Sequence, residues 1–187
     1  MKCELCSELA VINSKYCKLH KETARSKWIE MINEQKREQE QLYKIFQESY
    51  DVAFFMATEA GNKKQPQPMV VSRHKNMADD NSPIVKEWTV PEGVCGFAWV
   101  EIKPANCKLA NWLKKTHSET WKYDDYSKCL KYWVFQYNQS YERKMAFAGE
   151  FSKQLYIKLK ESFELNNIKI ETIFHKNFII RNGGRLD

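Results

Sequence analysis

The sequence predicts an α+β chain: an N-terminal zinc knuckle and long helix, then a small mixed β-sheet packed with two helices. Three observations predict it. Cys3, Cys6, Cys17 and His20 fall in a C-x2-C-x10-C-x2-H pattern at the start of the chain. No Pro or Gly occurs from Tyr16 to Thr58, and the residues there are mostly good helix formers. Beyond Pro83, short apolar runs alternate with amphipathic stretches in the order β-α-β-α-β.

The ligand array comes first in the chain. Each C-x2 pair lets a tight turn aim two side chains at one ion, and the ten residues between Cys6 and Cys17 give the second pair room to close a tetrahedron. With all four positions filled by protein, a bound Zn2+ would be structural and not catalytic. Residues 1–25, the expected knuckle, are too few to bury a core of their own, so metal binding and folding should be coupled there, at about 10 kcal/mol. Leu9-Ala10-Val11-Ile12 followed by Asn13-Ser14-Lys15 reads as a short strand and a turn. Cys3-x2-Cys6, the turn before Tyr16, and Cys17-Lys18-Leu19-His20 at the start of a helix together resemble a treble-clef zinc knuckle. That resemblance implies that the last two ligands sit on the first helical turn. Such knuckles occur in phage-encoded nucleases of the HNH type and in many binding proteins, so the likeness does not choose a function.

Residues 16–60 read as one long helix with a break near Asp51. Trp28, Ile32, Gln35, Gln39, Leu42, Phe46, Ser49 and Ala53 recur at alternating steps of four and three, which places them along one seam. From Asn33 to Gln41 no residue is apolar, so this stretch should cross solvent or meet a partner through polar contacts. Residues 61–83 have linker composition, with Gly61, Pro66, Pro68, Pro83 and the Asp79-Asp80-Asn81-Ser82 cluster. A domain boundary is expected there.

Residues 84–187 form the expected α/β domain. Ile84 to Val90 and Gly96 to Ile102 read as strands, and Ala105 to Lys115 as a helix that buries Leu109, Trp112 and Leu113. Leu130 to Tyr137 reads as a central strand with Trp133 and Phe135 on one face and Tyr132 and Val134 on the other. Trp133, like Trp112, is expected to be buried. Asn138 or Ser140 can cap a helix to about Leu165, carrying Met145, Ala148, Ser152, Leu155 and Leu159 at helical spacing. Ile168 to Phe174 and Asn177 to Ile180 read as a hairpin around His175-Lys176, and Asn182-Gly183-Gly184 as a turn.

Composition bounds the function. Of 187 residues, 43% are hydrophobic and 29% charged, which excludes a disordered chain. No apolar run approaches a membrane span and no leader is expected, and Cys95, Cys107 and Cys129 stand singly, as in a reducing compartment. The net charge is +6, but residues 1–60 carry nine basic against ten acidic side chains, while residues 84–187 carry seventeen against twelve. A contact with DNA or RNA should therefore lie in the second half. The candidate contacts are Lys114, Lys115, Trp121, Lys122, Tyr123, Tyr126 and Lys128, where lysines neighbour aromatic rings that an expected loop leaves accessible. No catalytic residue is assigned. His74, His117 and His175 sit in no nuclease motif, Asp124-Asp125 reads as a solvated turn, and Cys95 has no Cys-His signature around it.

Gly93 to Val100, Trp112 to Lys115, Tyr137 to Ser140 with Arg143-Lys144, and the terminal Arg185-Leu186-Asp187 are similar to uncharacterised small proteins of tailed bacteriophages. This resemblance implies an origin, with the protein in the cytoplasm of a bacterial host or in a virion. It carries no activity and no site residue. The expectation that follows is a non-enzymatic zinc-binding phage accessory protein that meets a protein partner, of phage or host, through its knuckle and long helix. Nucleic-acid binding by the basic second half is the alternative, and a nuclease, HNH-like or other, comes third.

Overall fold

The computed structural model describes residues 2–12, 14–174 and 177–187. It divides into two compact units, Met1–Lys44 and Ile45–Asp187. The fold class is α+β, as expected.

In the first unit, backbone hydrogen bonds cross the chain before the helix. A bridge joins Lys2 to Leu9, and the Glu4 amide donates to the Lys15 carbonyl at 3.0 Å and the Val11 amide to that of Tyr16 at 3.0 Å. Helix α1 (Lys18–Lys63) follows directly and runs without the expected break at Asp51. The seam from Trp28 to Ala53 is buried only at its later end. Leu42, Phe46, Ser49 and Ala53 are buried, whereas Trp28 is 58% exposed. The polar stretch from Asn33 to Gln41 is exposed throughout, as its composition requires.

Residues 61–83, expected as linker, hold the end of α1 and a strand. β1 (Met69–His74) pairs antiparallel with β2 (Ile84–Val90), so this segment is largely one side of a two-stranded sheet. The Pro residues and the acidic cluster that suggested a linker fall outside the strands, in the approach to β1 and in the turn. There, Asn76 and Asp79 side chains accept from backbone amides two residues on.

The main sheet contains β3 (Gly96–Lys103), β4 (Trp121–Asp124), β5 (Cys129–Trp133) and β6 (Ile179–Leu186) in the order β4-β5-β3-β6. Every pairing is antiparallel, where a mixed sheet was expected. The reason is the C-terminal segment. The expected turn at Asn182-Gly183-Gly184 is instead part of an edge strand, with Trp99 opposite Gly183 and Ala98 opposite Gly184. The other half of the expected hairpin is a single helical turn, α4 (Ile170–Ile173), and its tip at His175-Lys176 lies outside the described residues.

Helices α2 (Lys108–Thr116) and α3 (Tyr141–Leu165) supply the rest of the core. On α3 the residues Phe147, Phe151, Leu155, Leu159 and Phe163 recur every four positions and are all buried. They face Ala98, Val100, Ile102, Leu130 and Tyr132, the alternate residues of β3 and β5, which are equally buried. Leu109, Trp112 and Leu113 of α2 close one side, as predicted. Phe46, Tyr50, Ala53 and Ala57, from the last turns of α1, complete the same core. No helix among the described residues is long and apolar enough to cross a membrane.

Gly61 shows how tightly the end of α1 is packed. A Cβ there would lie 2.4 Å from the Tyr137 ring, whose hydroxyl donates to the Thr58 carbonyl at 3.0 Å. Gly61→Ala should therefore destabilise by about 1–3 kcal/mol, as overpacking does. At Gly149, where an added Cβ meets nothing within 4 Å, the same substitution should stabilise by about 0.5–1 kcal/mol through helix propensity. Thermal unfolding of the two variants checks the opposite signs.

Candidate metal centre and exposed sheet face

The four array residues converge. Cys17 immediately precedes α1 and its carbonyl accepts the first helical hydrogen bond, from Lys21 at 2.8 Å; His20 lies on the first turn. The turn after Cys3 brings the Leu5 amide to 3.5 Å from the Cys3 Sγ. His20 Nδ1 is 3.5 Å from Cys3 Sγ and 3.4 Å from Cys17 Sγ, and the sulfurs of Cys6 and Cys17 are 3.7 Å apart. All four donor atoms lie within 4.8 Å of one another. A tetrahedron built on metal–sulfur bonds of about 2.3 Å and metal–nitrogen bonds of about 2.0–2.1 Å has edges of roughly 3.5–3.8 Å. Three of the separations have that length, so this group could hold a metal ion.

The electrostatics agree with a site for a cation. Burial would raise the Cys3 thiol, but backbone hydrogen bonds at Cys17 and Leu5, with the side chains of His20 and Cys6, outweigh it and bring it down to about 6. For Cys6 a backbone hydrogen bond at Glu8 works downward, yet desolvation and the neighbouring Cys3 and Cys17 sulfurs leave the thiol raised. One sulfur thus ionises readily while a second is held back by its neighbours. A bound dication removes that conflict.

The candidate nucleic-acid contacts do not form one surface. Residues 121–124 are strand β4 and not loop, and Trp121 pairs with Tyr132, which puts its indole on the core face, only 2% exposed and 6.3 Å from the Phe151 ring. Trp121 is therefore core. Lys114 donates to the Ala105 carbonyl and lies 5.8 Å over the Tyr123 ring. Lys122 alternates onto the opposite face, and Lys128 pairs with Asp125 at 3.8 Å in the β4–β5 turn. Lys115 is exposed on α2. Tyr123 is 48% and Tyr126 98% exposed, so two of the three aromatic candidates are accessible.

A different set of residues shares one face. Along β3, Phe97, Trp99, Lys103 and the buried Glu101 alternate with Ala98, Val100 and Ile102 and occupy the face opposite the one these three line. Trp133, expected in the core, joins them. It pairs with Trp99, the two rings 5.1 Å apart, and neither indole is buried. Phe97 meets Trp133 edge-on at 6.1 Å. Gly183 of β6 lies under Trp99, where an added Cβ would come within 2.8 Å of the indole, so the absence of a side chain lets the ring lie across the sheet. Cations frame the rings. Lys131 Nζ is 5.1 Å from the Trp99 ring and 2.7 Å from Asp124, and Arg185 is 5.4 Å from the Phe97 ring. Arg181 donates to Glu101, and Lys122 adds a further charge from β4. The Lys131 ammonium, followed by Ser127, holds the Asp124 carboxyl down at about 2. This face was missed because Trp133 sits in an apolar run. The signal that could have found it is the alternation in β3 of small or aliphatic residues with aromatic and charged ones.

The remaining titratable groups have separate surroundings. Cys95 Sγ donates to Asp187 at 3.1 Å, and His74 Nδ1 lies 2.7 Å from the Ser82 carbonyl. His117 stacks on Tyr50 with centroids 4.3 Å apart, beside a cleft of roughly 500 Å³ lined by Phe54, Tyr132, Phe135 and Gln136 among others. Desolvation lowers its pKa, with Asp51 acting weakly against that, and Nε2 is buried without a partner.

No family model, curated protein or solved structure matches the chain. The likeness to tailed-phage proteins gains no support from these comparisons.

Proposed function

We propose that this chain is a non-enzymatic, zinc-stabilised binding protein whose N-terminal unit engages a protein partner. The zinc would be structural, held by Cys3, Cys6, Cys17 and His20. Three sulfurs and an imidazole are the donor set zinc prefers among the common divalent ions, and no position is left open for substrate.

The observation that carries the partner reading is the surface of this small unit. Leu5, Leu9, Ile12 and Leu19 are between 61% and 89% exposed, and Trp28 and Met31 on α1 are 58% and 47% exposed. So many large apolar side chains on so small a unit are what protein interfaces present, and Trp is the residue most often dominant in them. The partner would belong to a bacterial host or a phage particle, and the protein to the host cytoplasm or the virion.

The test is capture by the full, zinc-loaded chain from extracts of infected cells, with Trp28→Asp as the comparison. A specific partner bound at least about thirtyfold more weakly by the variant, with zinc content unchanged, is the expected result. A chain that retains nothing, or retains the same protein equally with and without Trp28, removes the reading.

A further inference from the structure

We infer that the outer face of the four-stranded sheet binds single-stranded nucleic acid, with Trp99 and Trp133 as the stacking platform. The inference concerns the second unit alone and does not depend on the partner proposed for the first.

The argument starts from what covers the sheet. Helix α3 packs on the inner face of β3 and β6, where Tyr141 and Met145 reach Gly96 and Gly184 and Ser152 reaches Asn182, while its Lys144 lies 5.6 Å from the Phe97 ring. The end of α1 reaches the inner face as well, with Phe54 6.4 Å from the Tyr132 ring of β5. The outer face is left with two indoles and a phenyl ring at its centre, none of them buried. Half-buried aromatic residues on the sheet face opposite α3 need a reason beyond stability.

The charge around them selects the occupant. Arg181 and Arg185 lie on β6, Lys103 on β3, Lys122 on β4 and Lys131 on β5, against Glu101 and Asp124 on the same face. Arg181 answers Glu101 and Lys131 answers Asp124. That leaves an excess of three cations at the rim. Flat π surfaces at the centre with cations at the edge suit unpaired bases and the phosphates that join them, as on other sheet and barrel platforms for single strands. A duplex keeps its bases stacked inside and offers nothing to Trp99 or Trp133. An apolar peptide would use the rings but would leave the cations without partners.

The experiment is fluorescence anisotropy of labelled fifteen-nucleotide oligo(dT) and oligo(U) with the full zinc-loaded chain. Both should bind at low salt, and their relative affinity distinguishes DNA from RNA. With about three phosphates neutralised, the logarithm of affinity should fall with the logarithm of salt with a slope of about −2. Trp99→Ala and Trp133→Ala should each weaken binding by about tenfold or more, while Trp133→Phe retains most of it. Arg185→Glu, at an exposed edge position where folding is not at stake, should weaken binding by about tenfold and flatten the salt slope. No binding at low salt overturns the inference. So does a duplex bound as well as the single strand, or affinity unchanged by both Trp133→Ala and Arg185→Glu.

Discussion

Replacing Cys17 by Ser is expected to unfold the first 25 residues while the second unit stays folded. Among the described residues of Met1–Lys44, those buried other than Leu42 are Cys3 and Cys17 themselves, so the ligands are nearly all the core described there. A unit of that size does not bury enough apolar surface to offset its chain entropy. A bound metal ion would supply the difference, about 10 kcal/mol in zinc-finger peptides. Cys17 is the most sensitive position because it both contributes a sulfur and starts α1, with Cys6 and His20 each within 3.7 Å of it. Limited proteolysis should show cleavage before residue 25 in the variant, or in the wild-type protein with a strong chelator. The melting transition of residues 45–187 should not move. A variant as protease-resistant as the wild type would mean that the knuckle folds without its metal.

The second large effect is expected at Phe46. Its side chain is fully buried, 5.8 Å from the Trp112 ring and 6.3 and 6.5 Å from Phe163 and Phe174, and so joins the end of α1 to α2, α3 and the segment after α4. Phe46→Ala removes a ring that four elements share, and should cost about 3–5 kcal/mol of stability. Phe55, also on α1 but 66% exposed, should cost less than about 1 kcal/mol on the same change. Urea denaturation followed by circular dichroism separates the two. Equal losses would mean that α1 is not anchored through Phe46.

These two positions also show what the sequence made legible. The ligand array needed only spacing, because C-x2-C and C-x2-H pairs impose their own turns. Phe46 could be placed because it continues a helical seam into apolar surroundings. Strand β1 could not, since Met69–His74 lies among Pro66, Pro68 and Pro83 and reads as linker until pairing with β2, itself expected as a strand, satisfies its backbone. The outer sheet face failed for a related reason. Trp133 looks buried in Leu130–Tyr137 because hydrophobicity does not reveal which side of a strand another element covers. Trp121 failed in the opposite direction: among lysines and acids it reads as loop, and only its pairing with Tyr132 turns it inward. Which strand neighbours which is long-range information, and a local pattern does not contain it.

The metal centre is the claim on which the N-terminal unit rests, and native mass spectrometry with metal analysis tests it most directly. The account predicts one zinc ion bound per wild-type chain, none in the Cys17→Ser variant, and release on acidification, because metal ligands must be deprotonated to bind. A wild-type chain purified under reducing conditions with zinc present, yet carrying no metal, would contradict it.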